Sequence, residues 1–324
     1  MTKEIHLNHK TKIVFSPNPP YNFDANMHKP SHFPSSDNTW EEGKYWISML
    51  WAGKNLGLKL INQGNVESPR VEVEVYSDSK LTRPNIDSLQ SEIIWRFNFE
   101  RDYSEFYKRH EKDKILGEVI RRWKGMKPVA ANSLYETLII YFVLQNAPVR
   151  RSVQMLESLF DRFGSRIIFD GKTLSAFWNP EDMAEASEKE LRELKVGYRA
   201  KFFKRLSDDF ANGRISEDSL RKAGQESLRS QLLNIYGVGP ATLEYLLFED
   251  FYFPDALNTI PPWEQKILSR LVFEKERVDA KEIIDFFRKK YSGFEKLAVH
   301  YVWEDLFWKR KNEHIDWLEK EIRL

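Results

Sequence analysis

The chain of 324 residues contains no cysteine. Disulfides, thiol nucleophiles, iron–sulfur clusters and cysteine-bound zinc are excluded by that one absence. Long apolar runs are missing too. The greasiest patch, Leu138 to Leu144, is far shorter than the roughly 20 residues a membrane-spanning helix needs. The opening residues Met1-Thr2-Lys3-Glu4 hold no signal-peptide core, so the expectation is an intracellular protein with no membrane association. An excess of charge of one sign is also absent. Fifty basic residues face 49 acidic ones, a net charge of +1, so any polyanionic partner must be held by a local site. The seven histidines are scattered without His-Glu-x-x-His or similar spacing, so no metal and no cofactor is expected.

What is present supports a folded core. Hydrophobic residues make up 41% and charged residues 31%, which excludes collagen-like, disordered and disulfide-scaffold classes. The length suits about two domains of ordinary size. Aromatics reach 14%, with ten tryptophans. Such rings fill cores and equally stack on nucleobases, so the composition alone does not choose between the two.

Along the chain the pattern changes once. Residues 1–100 read as β-rich. Val71-Glu72-Val73-Glu74-Val75-Tyr76 alternates with period 2, and Tyr45 to Leu50 and Leu56 to Ile61 flank a turn signal at Ala52-Gly53-Lys54-Asn55. Ile94 to Phe99 reads as the last strand. Residues 101–324 read as helical. Helices are expected over Lys114–Trp123, Ser133–Gln145, Val149–Phe163 (stopped by Gly164), Pro180–Leu194, Tyr198–Asn212, Ser216–Arg221, Glu226–Asn234, Pro240–Glu249, Pro262–Phe273, Ala280–Tyr291 and Glu295–Leu324. The fold class is α+β: an N-terminal antiparallel β-domain, then an all-α body.

One junction stands out. Asn234-Ile235-Tyr236-Gly237-Val238-Gly239-Pro240-Ala241-Thr242 joins two helices through Gly-x-Gly, with proline at the first turn of the second. Glycines let the backbone approach another surface closely. The free N–H groups of a helix N-terminus, aided by its dipole, suit an anion. A plain helical hairpin with a glycine turn has the same pattern. Around the junction, from Lys195 to Pro240, basic residues outnumber acidic ones nine to five.

With its flanks, Leu232-Leu233-x-x-Tyr236-Gly-Val-Gly-Pro-Ala-Thr242-x-x-Tyr245-Leu246, this hairpin (about 231–248) resembles that of the helix-hairpin-helix DNA glycosylases. Trp95-Arg96-Phe97 followed by Asp102 to Tyr107 resembles the junction between β-domain and helical body in the alkylbase and oxidised-guanine branches. Leu144-Gln145-Asn146-Ala147-Pro148-Val149 is similar to the loop those enzymes push into the duplex, and Gly197-Tyr198-Arg199 to Phe203 to the segment ahead of the hairpin. Order and spacing agree over roughly residues 20–310.

The resemblance implies a DNA repair enzyme that flips a damaged or modified base out of double-stranded DNA and breaks its N-glycosidic bond, acting as a monomer. It implies backbone binding at Gly237, Val238, Gly239, Ala241 and Thr242, gap filling at Gln145 and Asn146, and a phosphate contact at Arg150. Trp263, Tyr245, Tyr135, Tyr198 and Trp178 are candidates to sandwich the base. The position matching the lysine of the bifunctional members is Ala241, so hydrolysis without β-lyase activity is expected. The position matching the catalytic aspartate is Pro261. Three residues are candidates to replace it: Glu264 in the first turn of the following helix, Asp255 in the preceding loop, and Asn258, an uncharged amide. The alternative is a catalytically impaired member that binds distorted or modified DNA.

Overall fold

The computed structural model describes residues 3–313 and 315–321. The elements run β1 (Lys3–His6), β2 (His9–Phe15), α1 (Phe23–Met27), β3 (Asn38–Glu41), β4 (Lys44–Trp51), β5 (Lys54–Asn62), β6 (Val71–Ser77), α2 (Arg83–Arg96), α3 (Ser104–His110), α4 (Gly117–Trp123), α5 (Leu134–Leu144), α6 (Val149–Phe163), β7 (Ser165–Phe169), β8 (Lys172–Ala176), α7 (Pro180–Ala184) and α8 (Glu188–Glu193). A 3-10 turn (Gly197–Arg199) then leads into α9 (Ala200–Ala211), α10 (Glu217–Arg221), α11 (Gln225–Leu233), α12 (Pro240–Glu249), α13 (Pro262–Phe273), α14 (Ala280–Lys290), α15 (Glu295–Asn312) and α16 (Asp316–Glu321). The expected α+β class is observed, with an antiparallel sheet and many helices.

The antiparallel sheet has the order β2-β6-β5-β4-β3. Its inner face packs Leu58, Val73 and Val75 against Leu89 and Ile93 of α2. That helix replaces the strand expected at Ile94 to Phe99. Thr82 caps it by accepting from the Asn85 N–H, with Pro84 in its first turn, and it runs through Arg96 before Asn98 turns the chain with φ +52°. A cap with proline behind it outweighed the β-formers in that stretch.

The helical body is interrupted by a second sheet, β1-β7-β8, in which β1 runs parallel to β7 with Ile5 opposite Ile167. The turn of the β7–β8 hairpin is Asp170-Gly171, both at positive φ, the two-residue turn that Asp-Gly favours. Asp170 accepts from the Trp46 indole at 2.8 Å and the Tyr76 hydroxyl at 3.0 Å, and meets the Lys59 ammonium at 2.8 Å. The hairpin is thereby locked onto β4, β5 and β6.

Two apolar clusters fill the helical region. One gathers α5, α6, α9, α11 and α12; the other gathers α3, α4, α13, α14 and α15. Helix α12 feeds both: Leu243, Leu246 and Leu247 point to the first and Phe248 to the second. A helix shared in this way leaves its remaining face, Tyr245 and Glu249, at the seam where the halves meet. The stretch expected as one helix over Pro180–Leu194 is two, α7 and α8, because Ser187 starts a fresh capping box with Glu190. The expected last helix breaks after Asn312, and its end, residues 322–324, lies outside the described residues. No helix among the described residues is long and apolar enough to cross a membrane.

Candidate active site

Helices α11 and α12 stand where the hairpin was expected, joined by residues 234–239. Gly237 is needed twice over. Its φ is +102°, and a Cβ there would sit 3.0 Å from Phe142 and 3.1 Å from Phe202. Gly239 is different: nothing lies within 4 Å of the position its Cβ would take. It is the N-cap of α12, Pro240 follows, and no side chain caps that end. The corner is flanked by cations. Arg205 lies 4.0 Å and Lys201 5.4 Å from the centroid of the exposed Tyr236 ring.

A groove of about 1360 Å³ runs between the 30–34 loop, the start of α6, the start of α13 and the end of α15. Trp263 and Trp303 stand in its wall as an edge-to-face pair, 4.9 Å between centroids. Its lining carries four cations, Arg150, Lys266, Arg310 and Lys311, and among the described residues no carboxylate.

At the inner edge of the groove lies a small hollow of about 90 Å³. It is rich in ionisable groups, and Glu264 is 2% exposed there. The carboxylate of Glu264 lies 3.8 Å from the Lys296 ammonium, and its Oε2 has no hydrogen-bond partner. The Lys296 ammonium lies 4.6 Å from the Tyr245 ring centroid. Burial, with Glu264 adding to it, pushes the Tyr245 phenol well above its usual range, so the phenol stays a donor. Behind them His300 Nδ1 faces Glu249 at 3.6 Å and Glu304 at 3.9 Å. Burial drives the His300 imidazole down to about 3, against the pull of Glu249. Burial also lifts Glu304 above the usual carboxylate range, although Lys29 and the Ser31 hydrogen bonds oppose it. Glu249 is lowered: burial would raise it, but the Lys29 ammonium at 2.5 Å prevails.

These features have relatives. No family model matches the chain. A DNA-3-methyladenine glycosylase of Bacillus subtilis is 22% identical over 268 residues, covering 78% of this chain and 87% of that protein. The solved 3-methyladenine DNA-glycosylase of Archaeoglobus fulgidus superposes with a TM-score of 0.74 at 15% identity, covering 94% of this chain and all of that one. An 8-oxoguanine glycosylase/lyase of Clostridium acetobutylicum, solved with double-stranded DNA containing cytosine opposite 8-oxoguanine, superposes at 0.66 and 19% identity over 93% of this chain and 98% of that one. The chain has the fold of these DNA glycosylases and is similar to them in sequence.

Against the expectations from the resemblance, the residues fall into three groups. Glu264, Tyr245 and Trp263 come together at the hollow and groove, joined by Asn146 and Arg150 on the groove wall. Asn146 takes φ +51° and donates to the Tyr198 hydroxyl at 3.2 Å, so Tyr198 stands outside the groove beside that loop. Gln145 donates to the Gly237 carbonyl at 2.9 Å, and its own carbonyl is held by Arg199, so it braces the hairpin.

The second group sits elsewhere. Tyr135 and Trp178 are core residues, 4% and 2% exposed. The Trp178 indole donates to the Tyr135 hydroxyl at 3.1 Å, which pairs with Ser207 at 2.8 Å, so their polar ends are satisfied within the apolar cluster. Neither lines the hollow or the groove. Asp255 is exposed, 3.4 Å from the Gln225 amide. Asn258 is exposed too; its N–H donates to Glu244 at 3.1 Å and its Oδ1 accepts from Arg288 at 2.7 Å. Both carboxylate substitutes other than Glu264 therefore lie away from the hollow. Pro261 is the N-cap of α13, as expected.

The third group was missed. Lys296, His300, Trp303 and Phe307 come from α15 at steps of four, three and four residues, with Glu304 next to Trp303. That helical period was visible in the sequence as a stripe mixing charge and aromatic rings, unlike a purely apolar core stripe.

Proposed function

We propose that this protein is a DNA glycosylase that hydrolyses the N-glycosidic bond of an extruded base, with Glu264 as its carboxylate. The carrying observation is the carboxylate-free, four-cation groove that ends, past Trp263 and Trp303, at a buried Glu264 with an unpartnered Oε2. The groove and the open N-terminus of α12 hold backbone phosphates; the tryptophans shield the extruded nucleotide from water. As the C1′–N bond breaks, its electron pair leaves with the base and positive charge grows on the sugar. A carboxylate at that point stabilises the charge and accepts a proton from the water whose oxygen bonds C1′. Lys296 holds Glu264 in place from one side and leaves Oε2 open. Ala241 provides no amine at the hairpin, which favours hydrolysis over strand cleavage.

Duplexes carrying a panel of alkylated, oxidised and deaminated bases are the test. Wild-type protein is expected to leave abasic sites in at least one of them, and Glu264→Gln to lower that release at least about 100-fold with DNA affinity unchanged. Borohydride added during turnover is expected to trap no covalent protein–DNA adduct. Release unaffected by Glu264→Gln would remove the carboxylate from this role. A binding-only reading is favoured by Pro261 at the aspartate's position; binding without release from any duplex would select it.

A further inference from the structure

A buried lysine is a costly occupant for the hollow, and Lys296 is only 4% exposed. Its backbone is pinned at the start of α15, where its N–H donates to the Pro254 carbonyl at 2.9 Å. Its ammonium lies over the Tyr245 ring, 4.6 Å from the centroid, and 3.8 Å from the Glu264 carboxylate. The face of a tyrosine ring is the part that attracts a cation. Here a side chain of the protein already stands over it.

The acids nearby do not turn the hollow into an anionic trap. Glu249 is paired with Lys29 at 2.5 Å. Burial raises Glu304, and burial with Glu249 adding to it raises Asp250, so negative charge on both is disfavoured. His300, titrating at about 3, is neutral. The charges that face a reacting nucleotide from the hollow are then Glu264 and Lys296.

These two act on different parts of that nucleotide. Glu264 favours the positive charge that grows on the sugar, whatever the base. Lys296 acts on the base. A base bonded to the carbon that Glu264 faces is within contact range of an ammonium 3.8 Å from that carboxylate. A cationic alkylated base is repelled there and finds the Tyr245 ring taken. An uncharged base is not repelled. When its C1′–N bond breaks, the electron pair leaves it an anion, which the ammonium stabilises. The anion then takes the proton that the attacking water gave to Glu264, so the products are an abasic site and a neutral free base.

We propose that Lys296 sets the substrate class by charge: it selects uncharged oxidised or deaminated bases and rejects cationic alkylated ones. This selection rests on the excision reading, but its binding half is measurable without excision. Duplexes carry one 8-oxoguanine, hypoxanthine or 7-methylguanine, and a second set adds a 2′-fluorine on that sugar, which slows bond breaking. Wild-type protein is expected to accelerate loss of 8-oxoguanine or hypoxanthine, relative to spontaneous loss, about 10-fold or more beyond its acceleration for 7-methylguanine, and to bind the fluorinated duplexes in the same order. Lys296→Met, close in length and uncharged, is expected to shrink both ratios about 10-fold, with 7-methylguanine release rising; Lys296→Arg keeps them. Thermal melting reports whether Lys296→Met folds, and should it not, Lys296→Gln carries the same expectation. Ratios preserved in the uncharged variant, or an equal loss from every duplex as a merely structural lysine would give, overturn the selection. So does a wild-type preference for 7-methylguanine, or none. A binding preference that Lys296→Met removes, with release from no duplex, leaves the selection standing and sinks the excision reading alone.

Discussion

At the scale of single residues, the site sets a buried imidazole behind an ion pair. Glu264 lies 3.8 Å from the Lys296 ammonium, whereas His300, on the same helix as that lysine, is held neutral by burial. That neutrality has a thermodynamic consequence. Unfolded, an imidazole titrates near 6.5; folded, His300 titrates at about 3. Between those values the unfolded chain takes up a proton that the folded chain refuses, so stability is complete above pH 6.5 and is lost as pH falls toward 3. The loss is at most about 1.4 kcal/mol per pH unit. The raised Glu304 and Asp250 act in the opposite sense, so the comparison must be between variants. His300→Gln is expected to flatten the fall in urea-unfolding free energy between pH 6.5 and 5 by about 1–2 kcal/mol. Identical pH slopes in the two proteins would mean that His300 is protonated in place, and the ion-pair scheme around Glu249 would need redrawing.

At the scale of elements, the hairpin offers a test in which two neighbouring glycines answer differently. Gly237→Ala places a methyl group against Phe142 and Phe202 at a positive φ, and is expected to destabilise the fold by about 1–3 kcal/mol, read as a lower melting temperature. Gly239→Ala meets empty space at an ordinary φ of −99° and leaves melting unchanged. Its methyl stands at the open end of α12, where a phosphate would approach, so DNA affinity falls about 10-fold. Equal effects on melting and on affinity in both variants would separate the hairpin from DNA binding. The sequence carried this element because its signals are local: Pro240 and Pro262 mark the starts of α12 and α13, and Gly164 ends α6. The Asp170-Gly171 turn was equally local and was overlooked between two long helical patterns. The pairing of β1 with β7 was not legible at all, since a parallel partner 162 residues away leaves no trace in a window of about a dozen. Site residues divide the same way. Glu264 was one of three candidates, offered for its place in a first turn, and nothing in composition separates Tyr135 and Trp178, sealed in the core, from Trp263, which is 43% exposed.

At the scale of the whole molecule, near-zero net charge conceals a sorted surface. Carboxylates and cations pair around much of the chain, as in Lys10 and Lys12 with Glu74 or Arg221 with Glu92, and four cations gather in the lining of the groove. A polyanion is therefore held through a few defined contacts, not by a general field, and salt dependence measures how many. Each phosphate neutralised contributes about −0.9 to the slope of log affinity against log salt, so the four groove cations give about −3.6. Between 50 and 200 mM salt, affinity for a duplex is expected to fall on the order of 100-fold. Arg310→Gln brings the slope to about −2.7, and Arg150→Gln has the same effect from the opposite wall. A charge far from the groove, such as Arg83 on the exposed start of α2, changes nothing when replaced by Gln. If Arg83→Gln lowers the slope as much as Arg310→Gln does, the DNA is not in the groove. The extruded nucleotide would then have no path to Glu264, whatever the chemistry of the hollow.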